Sequence, residues 1–257
     1  MYKIYLITME FTIQQNEKTI EWIELFKFMK NLDQYVTFIC DQDKINIQLM
    51  DESHVSLLNI NIDKEWFHEY KCESTFTFSV NNHIFTKLLS LHSKDNVMEC
   101  KVDDERLHLT YLHVEQNKYF SISLVDIEKE LLSAQNNDTD LDFKVKTKQL
   151  DKYVNDLSIF GEDLEIKCKE DKLYLNSANE EGSMSIEIQG DQLLEFNVID
   201  DFDFTCKYPG KYIQYVSKLK ISYSNVQLYL DDSSPLRIHF EEEHIHIDYY
   251  IAPKNDD

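Results

Sequence analysis

The sequence predicts an α+β protein of two similar domains, each with two helices packed on antiparallel β-sheets. The segment C-D-Q-D-K-I-N-I from Cys40 returns as C-K-E-D-K-L-Y-L from Cys168, 128 residues later. The run closed by Asp103 and Asp104 is answered at the same spacing by one closed by Asp231 and Asp232. Two matches at one offset, nearly half of the 257 residues, point to a duplicated domain. Alternating apolar runs that mark strands are interrupted by four short stretches of helical period.

The apolar start, residues 1–10, reads as a strand and not a leader, because it is short and soon reaches Glu10 and Glu17. A first helix follows, with Trp22, Leu25, Phe26, Met29 and Leu32 at the spacing of one face packed on a sheet. Alternation predicts strands over 37–39, 45–49, 55–62 and 75–80. Phe85, Leu88 and Leu89 carry a second helix, before strands over 97–102 and 106–111. The polar, acidic stretch 126–142 lacks a tight-turn signal and is expected to connect a domain over 1–125 to one over 143–257. In the second domain Leu150, Tyr153, Val154 and Leu157 mark one helix; Tyr212, Tyr215, Val216 and Leu219 mark another. Its strands are expected over 164–168, 173–177, 184–188, 203–206, 226–230 and 236–240.

Composition excludes several classes. The four glycines lie too far apart to build a phosphate-cradling loop. Five cysteines, odd in number and never spaced C-x-x-C, read as reduced buried thiols and not as a disulfide framework or zinc knuckle. No stretch approaches the roughly 20 apolar residues of a membrane helix, so a soluble intracellular protein with no membrane partner is expected.

The 48 acidic and 26 basic residues leave a net charge of −22, which at face value argues against a polyanionic partner. The charge is unevenly spread, however. Helical windows over 16–30, 82–92, 148–157 and 207–220 hold ten basic and five acidic residues, leaving −27 on the remainder. Opposite the apolar stripes, Lys207, Lys211, Gln214 and Lys218 recur at helical spacing, as do His83, Lys87 and Ser90, and Lys148, Lys152 and Asn155. The first helix shows Glu24, Lys27 and Asn31 there instead. One lysine-rich helix face is ordinary; three of four in so acidic a chain point to a segregated basic surface. Such a surface neutralises phosphates without reading bases.

Several stretches carry a resemblance. N-I-Q-L-M-D-E-S-H-V-S-L over 46–57 and the tail Y-Y-I-A-P-K over 249–254 resemble signatures of the eukaryotic sliding clamp family, proliferating cell nuclear antigen. F-H-E-Y-K-C over 67–72 and D-L-S-I-F-G over 156–161 are similar to it as well, all in family order. The resemblance implies a DNA clamp fold whose chains close head to tail as a homotrimeric ring around duplex DNA, helices lining the hole. It implies no catalysis and no cofactor. The implied partners are threaded double-stranded DNA without sequence preference, DNA polymerase and other replication and repair proteins bearing a PIP-box peptide, and a clamp loader. The implied location is the nucleus, or a viral replication site if a virus encodes the chain.

By position, the resemblance places Lys30, Lys87, Lys152, Lys211 and Lys218 toward the DNA. Glu24, Ser90, Asn155 and Ile159 stand where bases are usual, so contact is expected to be lighter or moved to Lys27, Lys148 and Lys207. The implied peptide pocket takes Met50, His54 and Leu57, Leu132 of the connector, and Pro235, Tyr250, Ala252 and Pro253. An exposed patch of Met, Leu, Pro and Tyr suits the apolar anchors of a short helix. Ser133-Ala134-Gln135 departs from the family's Gly-Ile-Pro, and Ala134 is expected to loosen the pocket. The implied subunit edges lie at 117–123 and 182–188, whose period-two rows, Tyr119, Ser121 and Ser123 alternating with Phe120 and Ile122 on one strand and Met184, Ile186 and Ile188 on the other, suit strand pairing with one apolar row buried.

Two other chemistries are weighed. His244-x-His246 would form a metal clip on one strand face, but no third ligand is evident nearby, and no metal is expected. The pairs Asp103-Asp104, Asp200-Asp201 and Asp231-Asp232 would suit a two-metal nuclease, but they sit at turns, where capping explains them. The rival readings are a monomeric processivity factor of the same fold that holds DNA by charge, and a metal-dependent nucleic-acid enzyme.

Overall fold

The computed structural model describes residues 8–127, 132, 139–199, 202–232 and 234–254, apart from the side chains of Ser217 and Lys218. The chain divides into two compact units, one built mainly from residues before 133 and the other mainly from residues after 132.

The first unit runs β1 (Met9–Ile13), α1 (Asn16–Met29), β2 (Tyr35–Cys40), β3 (Lys44–Met50), β4 (Ser56–Asp63), β5 (Glu69–Cys72) and β6 (Phe76–Asn81). It continues with α2 (Asn82–Leu89), β7 (Val97–Val102), β8 (Arg106–Leu112) and β9 (Lys118–Ser123). Its strands lie in the orders β5-β1-β7-β8-β9 and β4-β3-β2-β6. The second unit runs β10 (Leu141–Lys146), α3 (Thr147–Leu157), β11 (Asp163–Lys169), β12 (Lys172–Ala178), β13 (Ser183–Gln189) and β14 (Glu195–Val198). It ends with β15 (Phe204–Pro209), α4 (Gly210–Tyr215), β16 (Asn225–Leu230), β17 (Leu236–Glu242) and β18 (Ile245–Ile251). Its orders, β14-β10-β16-β17-β18 and β13-β12-β11-β15, repeat those of the first unit strand for strand. The starts of β2, β3, β6, α2 and β7 recur 128 residues later as β11, β12, β15, α4 and β16. The repeated motif folds into one hairpin register in both halves: Cys40 pairs with Ile45, and Cys168 with Leu173.

In the first unit α1 and α2 bury an aromatic cluster against β2 and β6. Phe26 meets Phe85 edge-on at 4.8 Å, and Phe38 stacks on Phe78 at 4.6 Å. Such pairs add about 0.5–1.5 kcal/mol each beyond burial. The start of α2 is fixed by Asn81, whose side chain accepts the Ile84 N–H at 3.0 Å and so satisfies one of the donors a helix start leaves unpaired. In the second unit Leu150, Val154, Leu157, Tyr212, Ile213, Val216 and Leu219 form the matching helix core. All five cysteines are free thiols; four are buried and Cys206 is half-buried. Burial, with lesser help from Asp171 and Asp203, pushes the Cys168 thiol up to about 11.

The fourth helix departs from expectation. The window over 207–220 is not one helix: β15 reaches Pro209, α4 spans only 210–215, and a 3-10 turn covers Val216–Leu219. Proline supplies no N–H and holds the residue before it extended, so Tyr208 stays in the strand and the helix starts after Pro209. With the observed bounds, the four helices and this turn hold seven basic and five acidic residues, an excess of two and not five. The short edge strands β5 and β14, and β10 beside the connector, have no counterpart in the strand expectations. They are four to six residues long, too short for alternation to separate them from a loop. The expected connector over 126–142 falls largely outside the described residues, and Leu141 already begins β10.

Candidate functional site

The basic surface is built on the outward faces of the helices. Lys27 in the last turn of α1, Lys30 just after it, Lys87 on α2, Lys148 and Lys152 on α3 and Lys211 at the start of α4 are all exposed. The side chain of Lys218 lies outside the described residues. Lys207 does not join them: it is half-buried on β15, opposite Glu165 of β11, and its carbonyl accepts the Lys254 N–H at 2.8 Å. Glu24, expected on the outward face of α1, is buried at 6% exposure. Thr19, Trp22, Ile23, Leu25, Phe26, Phe28 and Met29 are buried around it, so much of α1 is enclosed on more than one side.

The acidic residues on these helices are partly neutralised within the unit. Asp151 of α3 takes Lys220 Nζ at 2.8 Å on one carboxylate oxygen and Asn155 Nδ2 at 3.0 Å on the other. Lys148 and Lys152 are thus exposed on a helix whose Asp151 carboxylate is already engaged. Lys211 Nζ sits 4.7 Å from the centre of the Tyr212 ring, a cation–π contact that anchors the side chain while leaving it exposed.

The expected subunit edges are sheet edges. Among the described residues β9 pairs only with β8, and β13 only with β12. Tyr119 is 72% exposed, whereas Phe120, Ile122, Met184 and Ile186 are half-buried and Ile188 is buried. The two rows differ in character: Phe120 packs inward on Tyr111 at 6.0 Å, while Tyr119 points out.

The residues expected at the peptide pocket divide between the two units, and each is described within its own. In the first, Met50 ends β3 half-buried, and Leu132 is 41% exposed. Gln48 of β3 clamps Leu132: its Nε2 donates to the Leu132 carbonyl and its Oε1 accepts the Leu132 N–H, both at 2.7 Å. Sequence reading missed Gln48, although it stands inside the 46–57 signature on the same strand face as Asn46 and Met50. In the second unit, His54 has a left-handed backbone, φ 57°, and is exposed, while Leu57 is half-buried. The Ala252 N–H donates to the Val55 carbonyl at 2.8 Å, tying the tail to that loop. Pro235 and Pro253 are exposed and Ala252 is half-buried. Tyr250 corrects the expected exposed patch: it is only 8% exposed, and burial pushes its hydroxyl up to about 12. Ala134 lies outside the described residues.

Two of the acidic pairs cap turns. Asp103 Oδ1 accepts the Glu105 and Arg106 N–H groups at 2.8 and 2.7 Å, and Asp231 Oδ1 accepts that of Ser234 at 2.6 Å. In each pair the first Asp is buried and the second exposed; Asp200 and Asp201 lie outside the described residues. His244 and His246 do not form a pair on one strand face. His244 sits in the hairpin turn with φ 68°, its Nδ1 3.8 Å from Asp63. Within the second unit His239 Nε2 lies 3.7 Å from Glu241 Oε2. No helix among the described residues is long and apolar enough to cross a membrane.

A duplicated unit of two helices on two antiparallel sheets, with basic helix faces and free sheet edges, defines the class: a DNA-clamp fold. A crystal structure of proliferating cell nuclear antigen from Entamoeba histolytica superposes with a TM-score of 0.87 at 22% identity, over 97% of this chain and 100% of that one. Residues 16–138 match the family model described as proliferating cell nuclear antigen, N-terminal domain. The chain is 27% identical to DNA polymerase sliding clamp 1 of Sulfolobus acidocaldarius, over 88% of this chain and 95% of the relative. It is 23% identical to proliferating cell nuclear antigen 2 of Drosophila melanogaster, over 86% and 89%. A probable DNA polymerase sliding clamp of Autographa californica nuclear polyhedrosis virus is 21% identical, over 90% and 91%.

Proposed function

We propose that this chain is a DNA sliding clamp, a processivity factor that encircles duplex DNA and tethers polymerases and other peptide-bearing replication and repair proteins. The observation that carries the reading is the row of exposed lysines on all four helices of a chain whose net charge is −22. A molecule this acidic is repelled by DNA over most of its surface, so its favourable contact is confined to those helices. Three copies joining β9 of one to β13 of the next would enclose the duplex and hold it topologically. Weak phosphate contacts then suffice, and sliding stays fast.

Met50, His54, Leu57, Leu132, Pro235, Tyr250, Ala252 and Pro253 are the proposed peptide contacts; a loader would open the ring, and the nucleus or a viral replication site is where it would act. A scaffold without catalysis fits the capped aspartates, whose oxygens are engaged by backbone N–H groups at Asp103 and Asp231. Native mass by light scattering tests the ring. Three times the 30.7 kDa chain mass is expected. A single-chain mass at micromolar concentration overturns it in favour of the monomeric reading.

A further inference from the structure

Each unit carries the same edge strand, but the two edges are finished differently. Strand β5 ends one sheet beside β1, and β14 ends its counterpart beside β10, in matching register: Thr12 stands opposite Glu69, and Lys144 opposite Glu195. The residue before each strand donates its N–H across at 2.9 Å, His68 to the Thr12 carbonyl and Leu194 to that of Lys144. Residues 68–73 and 194–199 therefore correspond one to one. In the first unit the exposed positions are His68, Glu69, Lys71 and Glu73, polar and charged residues of the kind that keep an open edge from pairing with another chain. In the second they are Leu194, Glu195, Asn197 and Ile199. Leu194 is 50% exposed and Ile199 52%, so apolar side chains replace that guard at both ends of β14.

A trough of about 740 Å3 runs along this edge, lined by β14 together with Asp171 and the turn over 189–191. Phe196 is part of its wall, packed so closely on Gly190 that a Cβ there would stand 2.7 Å from the ring. Backbone groups alternate in direction along an antiparallel strand. The Ile199 N–H goes to the Asp140 carbonyl at 3.0 Å, on the β10 side, which turns the peptide groups of Phe196 and Val198 to the free side. Among the described residues no strand takes them. The described lining includes Asp171, Asp191 and Glu195 and no base. Glu195 is held by Lys144 at 2.8 Å, which leaves the exposed Asp171 and Asp191 to meet a ligand.

We propose that β14 is a docking edge for an extended, lysine- or arginine-bearing segment of a partner protein, added as a further strand with its apolar side chains against Leu194 and Ile199. In strand addition the backbone bonds supply affinity, and alternate side chains supply the choice of partner. The acidic lining selects a basic segment. A second copy of this chain fits poorly, because pairing β14 with itself sets Asp171 and Asp191 of one copy near those of another, in a chain of net charge −22. The edge is neither β9 nor β13, so the proposal stands or falls apart from the ring.

The test titrates the full chain, at physiological salt, into a fluorescent capped peptide of alternating lysine and valine, read by anisotropy. Saturable binding is expected. The same peptide with N-methyl groups on alternate backbone nitrogens keeps its charge and apolar area but cannot pair as a strand, and it should bind at least about tenfold more weakly. Grafting the first unit's guard onto the second, as Leu194→His, Asn197→Lys and Ile199→Glu together, should weaken binding by at least about tenfold as well. All three positions are exposed, so the fold is kept. Lys71→Asn on β5, also exposed, should stay within about twofold. No saturable binding, equal affinity for the N-methylated peptide, or unchanged affinity in the grafted chain overturns the proposal. Self-association that the graft abolishes, found in place of peptide binding, would assign the edge to a second copy and overturn the partner.

Discussion

Asp103 shows how one side chain ends a strand, opens a turn and carries a pH response. Its Oδ1 accepts two backbone N–H groups, and its Oδ2 lies 3.0 Å from His108 Nε2. Burial pushes its carboxyl up, but His108 and the Glu105 and Arg106 N–H groups outweigh this and hold it below the ordinary 3.8. A carboxyl depressed by folding contributes stability that is present above the unfolded value and is lost as pH falls through the folded one. Urea midpoints measured downward from pH 5 should therefore fall below about pH 3.8 in the wild-type chain, and less steeply in Asp103→Asn. Asp103→Ala should cost about 1–3 kcal/mol at neutral pH, because it removes the charged acceptor shared by two part-buried turn N–H groups; an unchanged midpoint would count against the cap. The capping role was legible, since an aspartate pair closing an alternating run is a turn signal. The burial of Glu24 and Tyr250 was not. Helical spacing places a residue on a face, but how much of a helix the surrounding chain covers is settled by tertiary packing.

At the scale of elements, hairpins were easiest to read and breaks hardest. The repeat marked β2, β3, β11 and β12 within a residue or two, because turn chemistry and alternation agree there. The β15–α4 junction misled because Lys207 and Lys211 happen to keep helical spacing, yet Pro209 between them outranks that periodicity. Connector attachment belongs to this scale as well. Gln48 holds both backbone groups of Leu132 at 2.7 Å, so β3 and the connector share a two-bond clasp. Gln48→Ala should release it at a cost of about 1–2 kcal/mol. The Leu132 amide should then exchange roughly tenfold faster by hydrogen exchange, while amides of the α1–α2 core stay protected. An unaltered Leu132 rate would mean that other contacts hold the connector.

For the whole molecule, duplication and charge were both legible, but in unequal detail. The 128-residue offset announced a repeated unit, and the strand orders repeat to match. The charge partition survives with a different content: the helices hold an excess of two, and exposure, not count, makes their outer faces basic. If those faces meet phosphate, Lys152→Glu with Lys211→Glu should reduce the slope of log affinity against log salt by about 0.9 for each phosphate no longer neutralised. Thermal stability should barely move, since both side chains are exposed. A slope equal to wild type would place the DNA elsewhere.

The free edges β9 and β13 are unlike strands from unlike halves. A contact between unlike edges has a direction, so every junction in a closed assembly points the same way around. The two rims of such a ring are then chemically different surfaces. Threaded on a duplex as proposed, such an assembly would have a front and a back. In the proposed ring, partners gripped on one rim would all ride on the same side of it and face one way along the DNA.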